Sequence, residues 1–126
     1  MERKTALVIE DNEDNMILIT RLLQNAGYGC EWAASGALGV EKAEQLLPDF
    51  IILDIQLPDI EGTEVLQRIR AQAGPVADIP IIAMTSYAMA GDREKLLKLG
   101  CDGYIEKPID PMSVIHQLKQ ILGDSK

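Results

Sequence analysis

The order in which apolar residues recur restricts this chain more than any other feature. Five short apolar runs alternate with five longer stretches of helical spacing, and such alternation predicts a parallel sheet covered by helices on both faces. The runs are Ala6 to Ile9, Gly29 to Ala34, Phe50 to Leu53, Ile79 to Met84 and Asp102 to Glu106. After the first, Met16, Ile19, Leu22, Leu23 and Ala26 recur every three or four positions, and Gly27 suits the end of that helix. Ser35 reads as the N-cap of a helix over Gly36 to Leu47. A loop with Pro58 and Gly62 leads into a helix over about Thr63 to Ala73, a fourth is surest over Asp92 to Leu99 with Gly100 closing it, and the last spans Pro111 to Leu122.

Strand composition bears on strand order. A central parallel strand is buried on both faces and reads as continuously apolar, whereas an edge strand tolerates polar residues. ALVI, FIIL and IIAM in the first, third and fourth strands therefore read as central, and Glu31, Asp102 and Glu106 mark the second and fifth as edges. Of the two common doubly wound orders, only 2-1-3-4-5 keeps FIIL in the middle. The expectation is an α/β, flavodoxin-like (βα)5 fold with a five-stranded parallel sheet in that order.

Composition then excludes several function classes. At 126 residues, 47% apolar and 25% charged, the chain is one ordinary domain with a real core. No apolar stretch approaches the ~18 to 20 residues of a membrane span, and no signal peptide is recognisable, so a cytoplasmic protein without membrane insertion is expected. Twelve basic against 20 acidic side chains, a net charge of −8, argue against direct nucleic-acid binding. Cys30 and Cys101 lack zinc or redox spacing and read as buried, reduced thiols. One histidine, His116, leaves little scope for a histidine metal site or a Ser-His-Asp triad.

In the order 2-1-3-4-5, growth of the sheet reverses between strands one and three, and ligands bind beyond the carboxyl ends of the strands at such a switch point. The first strand ends in Glu10 and Asp11, the third in Asp54, the fourth in Thr85 and Ser86, the fifth in Lys107 before Pro108. Neighbouring strands lie ~4.8 Å apart, which brings the carboxylates of Asp11 and Asp54 close together. Taken singly, each residue is more often a cap, a turn hydroxyl or a solvated charge. Joint placement on one edge is harder to obtain by accident. Close carboxylates repel unless neutralised, and a hard cation such as Mg²⁺, which prefers oxygen ligands, resolves that repulsion. A carboxylate beside a metal, a hydroxyl and an ammonium suits phosphoryl transfer, with Asp54 as acceptor. Glu13 and Asp14 read as first-turn acids of a helix, and Asp59, Glu61 and Asp92 as loop and cap residues.

The segments LVIEDNEDN at 7–15, IILDIQLPDIEG at 51–62, IIAMTSYAMAGD at 81–92 and GCDGYIEKPI at 100–109 resemble the receiver domain of two-component response regulators, and the likeness spans the chain. The resemblance implies that Asp54 is the phosphoacceptor. It implies that Glu10, Asp11, Asp54 and the backbone carbonyl of Gln56 surround Mg²⁺, and that Thr85 and Lys107 contact the phosphoryl oxygens. It further implies a cis peptide between Lys107 and Pro108, a Thr85–Tyr104 switch acting on the face of the fourth helix, fifth strand and fifth helix, and an influence of Gln56 and Tyr87 on phosphoryl lifetime. The implied donor is a phosphohistidine on a kinase or histidine phosphotransfer protein, and the implied output is a protein target. Glu10 departs mildly from the two aspartates of many receivers, a variant that leaves the metal assignment intact.

Competing readings fit less well. An aspartyl-phosphate phosphatase resembling D-x-D would carry an acid where Gln56 stands, and a nucleotide or flavin binder would want glycines where EDNEDN supplies acids. A phosphorylation-independent docking module predicts loss of site residues. With only Gly123 to Lys126 after the last helix, a single receiver domain over residues 1–126 without an output domain is expected. The receiver of a hybrid sensor kinase is the runner-up.

Overall fold

The computed structural model describes residues 4–57, 59–86, 90–107 and 109–123, with the backbone alone over 90–93. Its strands are β1 (Thr5–Ile9), β2 (Gly29–Ala33), β3 (Phe50–Asp54), β4 (Ile81–Thr85) and β5 (Gly103–Glu106). Its helices are α1 (Glu13–Asn25), α2 (Gly36–Leu46), α3 (Gly62–Arg70), α4 (Ala90–Lys98) and α5 (Val114–Leu122). All strand pairs are parallel and the order is β2-β1-β3-β4-β5, as the apolar pattern predicts.

Alternation along the strands divides the core in two. Leu7, Ile9, Ile51, Leu53, Ile81 and Ala83 face Ala43 of α2, Val65, Leu66 and Ile69 of α3 and Leu96 of α4. Ala6, Val8, Phe50, Ile52, Ile82, Met84 and Ile105 face Ile19 and Leu23 of α1 and Val114 and Leu118 of α5. Every residue of β3 and β4 is buried, while Glu31 on β2 and Glu106 on β5 are exposed. That contrast is the physical reason composition revealed strand order: a charged side chain on an edge strand reaches water, and on a central strand it cannot.

Several boundaries differ from expectation. Helix α1 begins at Glu13, capped by Asn12, whose Oδ1 accepts from the Asn15 amide at 2.9 Å; Glu13 and Asp14 do occupy its first turn. Helix α3 ends at Arg70 rather than Ala73, and β4 starts at Ile81 rather than Ile79. A 3-10 helix, Pro75–Asp78, takes up chain between them, entered through Gly74 at φ +89°. Helix α5 starts at Val114 rather than Pro111 because Asp110 holds the preceding turn, its Oδ1 accepting from the Met112 amide and its Oδ2 from the Ser113 hydroxyl. Asp102 lies just outside β5, and Cys30 is half-buried whereas Cys101 is buried.

Arg70 escaped notice in the sequence and ties the amino ends of β4 and β5 together. Its Nε donates to Gly100 O at 2.9 Å, Nη1 to Ala77 O at 2.8 Å and Ile79 O at 2.7 Å, and Nη2 to Asp102 Oδ2 at 2.9 Å. Asp102 Oδ2 also accepts from the Ile81 amide at 2.8 Å.

Candidate functional site at the carboxyl edge of the sheet

The carboxyl edge gathers the site because each strand runs apolar to its end and then meets a polar residue. Asp54 is the last residue of β3, paired in register with Met84, and is 2% exposed. Its Oδ1 accepts from the Lys107 ammonium at 2.8 Å and from the Gln56 amide at 2.9 Å. The turn after it is closed by Gly62, whose amide donates to Ile55 O at 2.9 Å. A Cβ on Gly62 would stand 2.4 Å from Ile55 Cα and 2.7 Å from Asp54 O, so glycine is required for this close approach of α3 to the backbone of the site.

Glu10 follows β1 and is fully buried. Its Oε2 accepts from the Asn12 amide at 3.3 Å, whereas Oε1 is buried with no hydrogen-bond partner. Asp11, next in the chain, is exposed. Carboxylate oxygens of Glu10, Asp11 and Asp54 all lie within 4.8 Å of one another. Two carboxylates ~4 Å apart repel by roughly 4 kcal/mol at an effective dielectric of about 20, and one lysine cannot offset three. Burial, reinforced by the neighbouring Asp54 carboxylate, accordingly pushes Glu10 up to about 8, with Lys107 opposing.

Three carboxylates offering one oxygen each, from a cluster whose Glu10 also carries a buried oxygen without a partner, make a set that fits a hard divalent cation. Glu10, Asp11 and Asp54 are the side chains that would hold it. Gln56 is exposed in the adjoining turn.

Thr85 ends β4, 2% exposed, and its carbonyl accepts from the Lys107 amide at 2.9 Å, which sets where Lys107 leaves β5. Tyr104 pairs in register with Ala83, and Thr85 with Glu106. Tyr104 and Thr85 therefore share a sheet face two positions apart on neighbouring strands, with the small Ala83 side chain beside the half-buried ring. Pro108, for which a cis peptide is expected, and Tyr87 lie outside the described residues. His116 is exposed on α5.

Two supports of this edge were not foreseen in full. Asp59, expected among the loop and cap residues, caps a helix distant in sequence, α2, 22 to 23 residues away: its Oδ1 accepts from the Gly36 amide at 2.9 Å and Oδ2 from the Ala37 amide at 3.1 Å. These bonds hold its carboxyl below the usual value. Ser35 does cap α2 locally, its Oγ accepting from the Leu38 amide at 3.2 Å. Trp32 on β2 donates its indole N–H to Glu10 O at 2.7 Å. Nothing in the local sequence signals a contact between residues 22 positions apart; only the β1–β2 register could have suggested it.

Comparison with known proteins agrees with this geometry. Residues 6–119 match the family model of the response regulator receiver domain. The polar-differentiation response regulator DivK of Brucella ovis is 38% identical over 122 residues, covering 97% of this chain and 98% of its own. Chemotaxis response regulator CheY4 of Vibrio cholerae superposes with a TM-score of 0.89 at 26% identity, over 95% of this chain and 99% of that one. The receiver domain of a sensor histidine kinase from Pseudomonas aeruginosa, solved with a magnesium ion coordinated in its active site cleft, gives a TM-score of 0.85 at 34% identity, over 97% of this chain and 99% of that one.

Proposed function

The chain belongs to the response regulator receiver family, and from that membership and the site we propose that it is a phosphoacceptor switch in which Asp54 takes a phosphoryl group from a partner phosphohistidine. The observation that carries this reading is the convergence of Glu10, Asp11 and Asp54 within 4.8 Å, with Lys107 on Asp54 Oδ1. In the transfer, a carboxylate oxygen of Asp54 forms the new O–P bond as the N–P bond to the donor imidazole breaks, and that electron pair returns to the imidazole nitrogen. Glu10, Asp11, Asp54 and the Gln56 carbonyl would hold Mg²⁺, which when bound would supply positive charge to offset that on the transferring oxygens. Lys107, at present bonded to the acceptor, shifts its ammonium to a phosphoryl oxygen, and the Thr85 hydroxyl donates to another. Burial of Asp54 limits competition from bulk water.

The product carries about two negative charges on strong phosphoryl acceptors where the carboxylate carried one. Drawing Thr85 toward them frees space on the face it shares with Tyr104, and inward movement of the ring changes the surface of α4, β5 and α5, which serves as the output face for a protein target. The absence of this ring movement on comparing free and beryllofluoride-treated protein would refute the switch. Gln56 and Tyr87 tune the lifetime of the aspartyl phosphate. The net charge of −8 disfavours nucleic acid as a partner, and the partners are proteins: a histidine kinase or phosphotransfer protein upstream and an effector downstream.

Acceptance is tested by intact mass after incubation with acetyl phosphate and Mg²⁺. One phosphate adduct is expected, lost with EDTA and lost in Asp54→Asn. An adduct that survives Asp54→Asn unchanged would disprove the assignment.

A further inference from the structure

The metal-facing carboxylates sit on a short segment, Glu10 and Asp11, between the end of β1 and the cap of α1. A buried carboxylate with one unpartnered oxygen does not settle its own orientation, so the backbone beneath it must be fixed from elsewhere. Both polar groups of the Glu10 main chain are engaged by the edge strand β2. The Glu10 amide donates to Ala33 O at 3.0 Å, prolonging the β1–β2 ladder one residue past β1. The Glu10 carbonyl accepts from Trp32 Nε1 at 2.7 Å. A side chain makes the second contact, since β1 has left the ladder by then. Trp32 is itself held from α2, where the Lys42 ammonium donates to Trp32 O at 2.6 Å.

We propose that Trp32 is a positioning residue for the cation site: its indole N–H fixes the peptide between Glu10 and Asp11 and thereby the directions in which both carboxylates leave the chain. No other side chain is described as donating to that carbonyl. This peptide links two of the three carboxylates, so a rotation about it changes both at once. The indole never approaches the reacting atoms; its influence passes entirely through the placement of Glu10 and Asp11. Partners that orient the groups holding a metal commonly change its affinity or the activity by about 10- to 100-fold when removed.

The inference rests on the cation reading of the site, and the experiment separates the two. Trp32 is the sole tryptophan, so growth of a tryptophan auxotroph on β-(3-benzothienyl)alanine replaces its N–H by sulfur with little change of shape. Mn²⁺ binding by electron paramagnetic resonance, without any phosphodonor, is compared for native, benzothienyl and Trp32→Phe proteins, alongside the Mg²⁺ dependence of acetyl phosphate labelling. Both replacements should weaken Mn²⁺ binding by roughly tenfold and raise the half-saturating Mg²⁺ concentration in parallel. The labelling rate at saturating Mg²⁺ should stay within about twofold, a split that general destabilisation would not produce. Native-like Mn²⁺ affinity in the benzothienyl protein overturns the inference even if Trp32→Phe is impaired, since packing rather than the hydrogen bond would then be at work. Failure of the native protein itself to bind Mn²⁺ or Mg²⁺ overturns the cation reading, and this inference with it.

Discussion

The two ends of the β-sheet treat charge in opposite ways. At the amino edge of β4 and β5, the Arg70 guanidinium meets three carbonyls and the Asp102 carboxylate, and Asp102 in turn accepts from a backbone amide. At the carboxyl edge, three carboxylates within 4.8 Å face one described ammonium, and Glu10 Oε1 is buried without a partner. Both are assembled from the ends of regular elements and the turns that adjoin them. The first arrangement pairs one cation with one carboxylate and is balanced in charge. The second is incomplete by about one cation. Residual demand for a partner, rather than the presence of charge, is what separates a binding site from a structural clamp.

The comparison is tested most severely by removing the cation from each end. Lys107→Met should slow acetyl phosphate labelling of Asp54 by at least ~100-fold, the usual effect of deleting a donor to developing charge. Arg70→Met should leave that rate within about twofold. Equal losses in the two variants, read by intact mass over time, would show that the ends are not functionally distinct. Stability should respond in the reverse sense. Arg70→Met strands three carbonyls and a carboxylate and should cost about 2–4 kcal/mol by urea unfolding.

Neutralising a charge at the carboxyl edge should instead stabilise the metal-free protein. Glu10→Gln removes a buried carboxylate from beside Asp54, and a gain of roughly 0.5–2 kcal/mol is expected at pH 9 with EDTA, a trade of function for stability. The native protein carries the same signature in its pH dependence. Glu10 titrates near 4.5 when unfolded and is raised to about 8 when folded, so the unfolded state holds fewer protons between those values. Stability from this group is fully present below pH ~4.5 and is lost as pH rises through about 8. Melting temperature in EDTA should therefore fall across that window, whereas Glu10→Gln or saturating Mg²⁺ should flatten the fall. A decline just as steep in Glu10→Gln would assign it to other groups.

The same contrast explains how much was legible in the sequence. FIIL and IIAM announced central strands because burial on both faces leaves no alternative, and strand order followed from Glu31 and Glu106. The convergence of Glu10, Asp11, Asp54, Thr85 and Lys107 was legible because all stand at or just beyond strand ends, where position depends on topology alone. The clamp was not legible. Arg70 terminates a helix and looks like an ordinary C-terminal cation, and its partners are mainly backbone carbonyls, which carry no sequence signature. The third helix is expected to run to Ala73 and the fourth strand to begin at Ile79, each past its observed limit, for a related reason: Val76 and Ile79 are buried, so burial extends past the regular elements into the 3-10 helix between them. Trp32 belongs to the same class, as a residue whose partner is a carbonyl on the adjoining strand.

Asp59 lies between these extremes and allows the smallest test. It is an exposed carboxylate at the carboxyl edge, like Asp11, yet its oxygens are already taken by the Gly36 and Ala37 amides at the start of α2. Its carboxyl is held below the usual value chiefly by the Gly36 amide and then by that of Ala37. The stability it contributes is thus present above its unfolded value of 3.8 and disappears as pH falls through its folded one. If satisfaction of charge marks structure, Asp59 should behave like the clamp and not like the site it adjoins. Asp59→Ala is expected to speed amide hydrogen exchange at Gly36 and Ala37, with Mn²⁺ affinity and Asp54 labelling within about twofold of native. Deuterium uptake resolved at those two amides decides the first point, and unchanged protection there would mean that Ser35 alone holds the start of α2. A large loss of metal affinity would instead place Asp59 with the carboxylates, and a satisfied acid would then no longer distinguish one end of the sheet from the other.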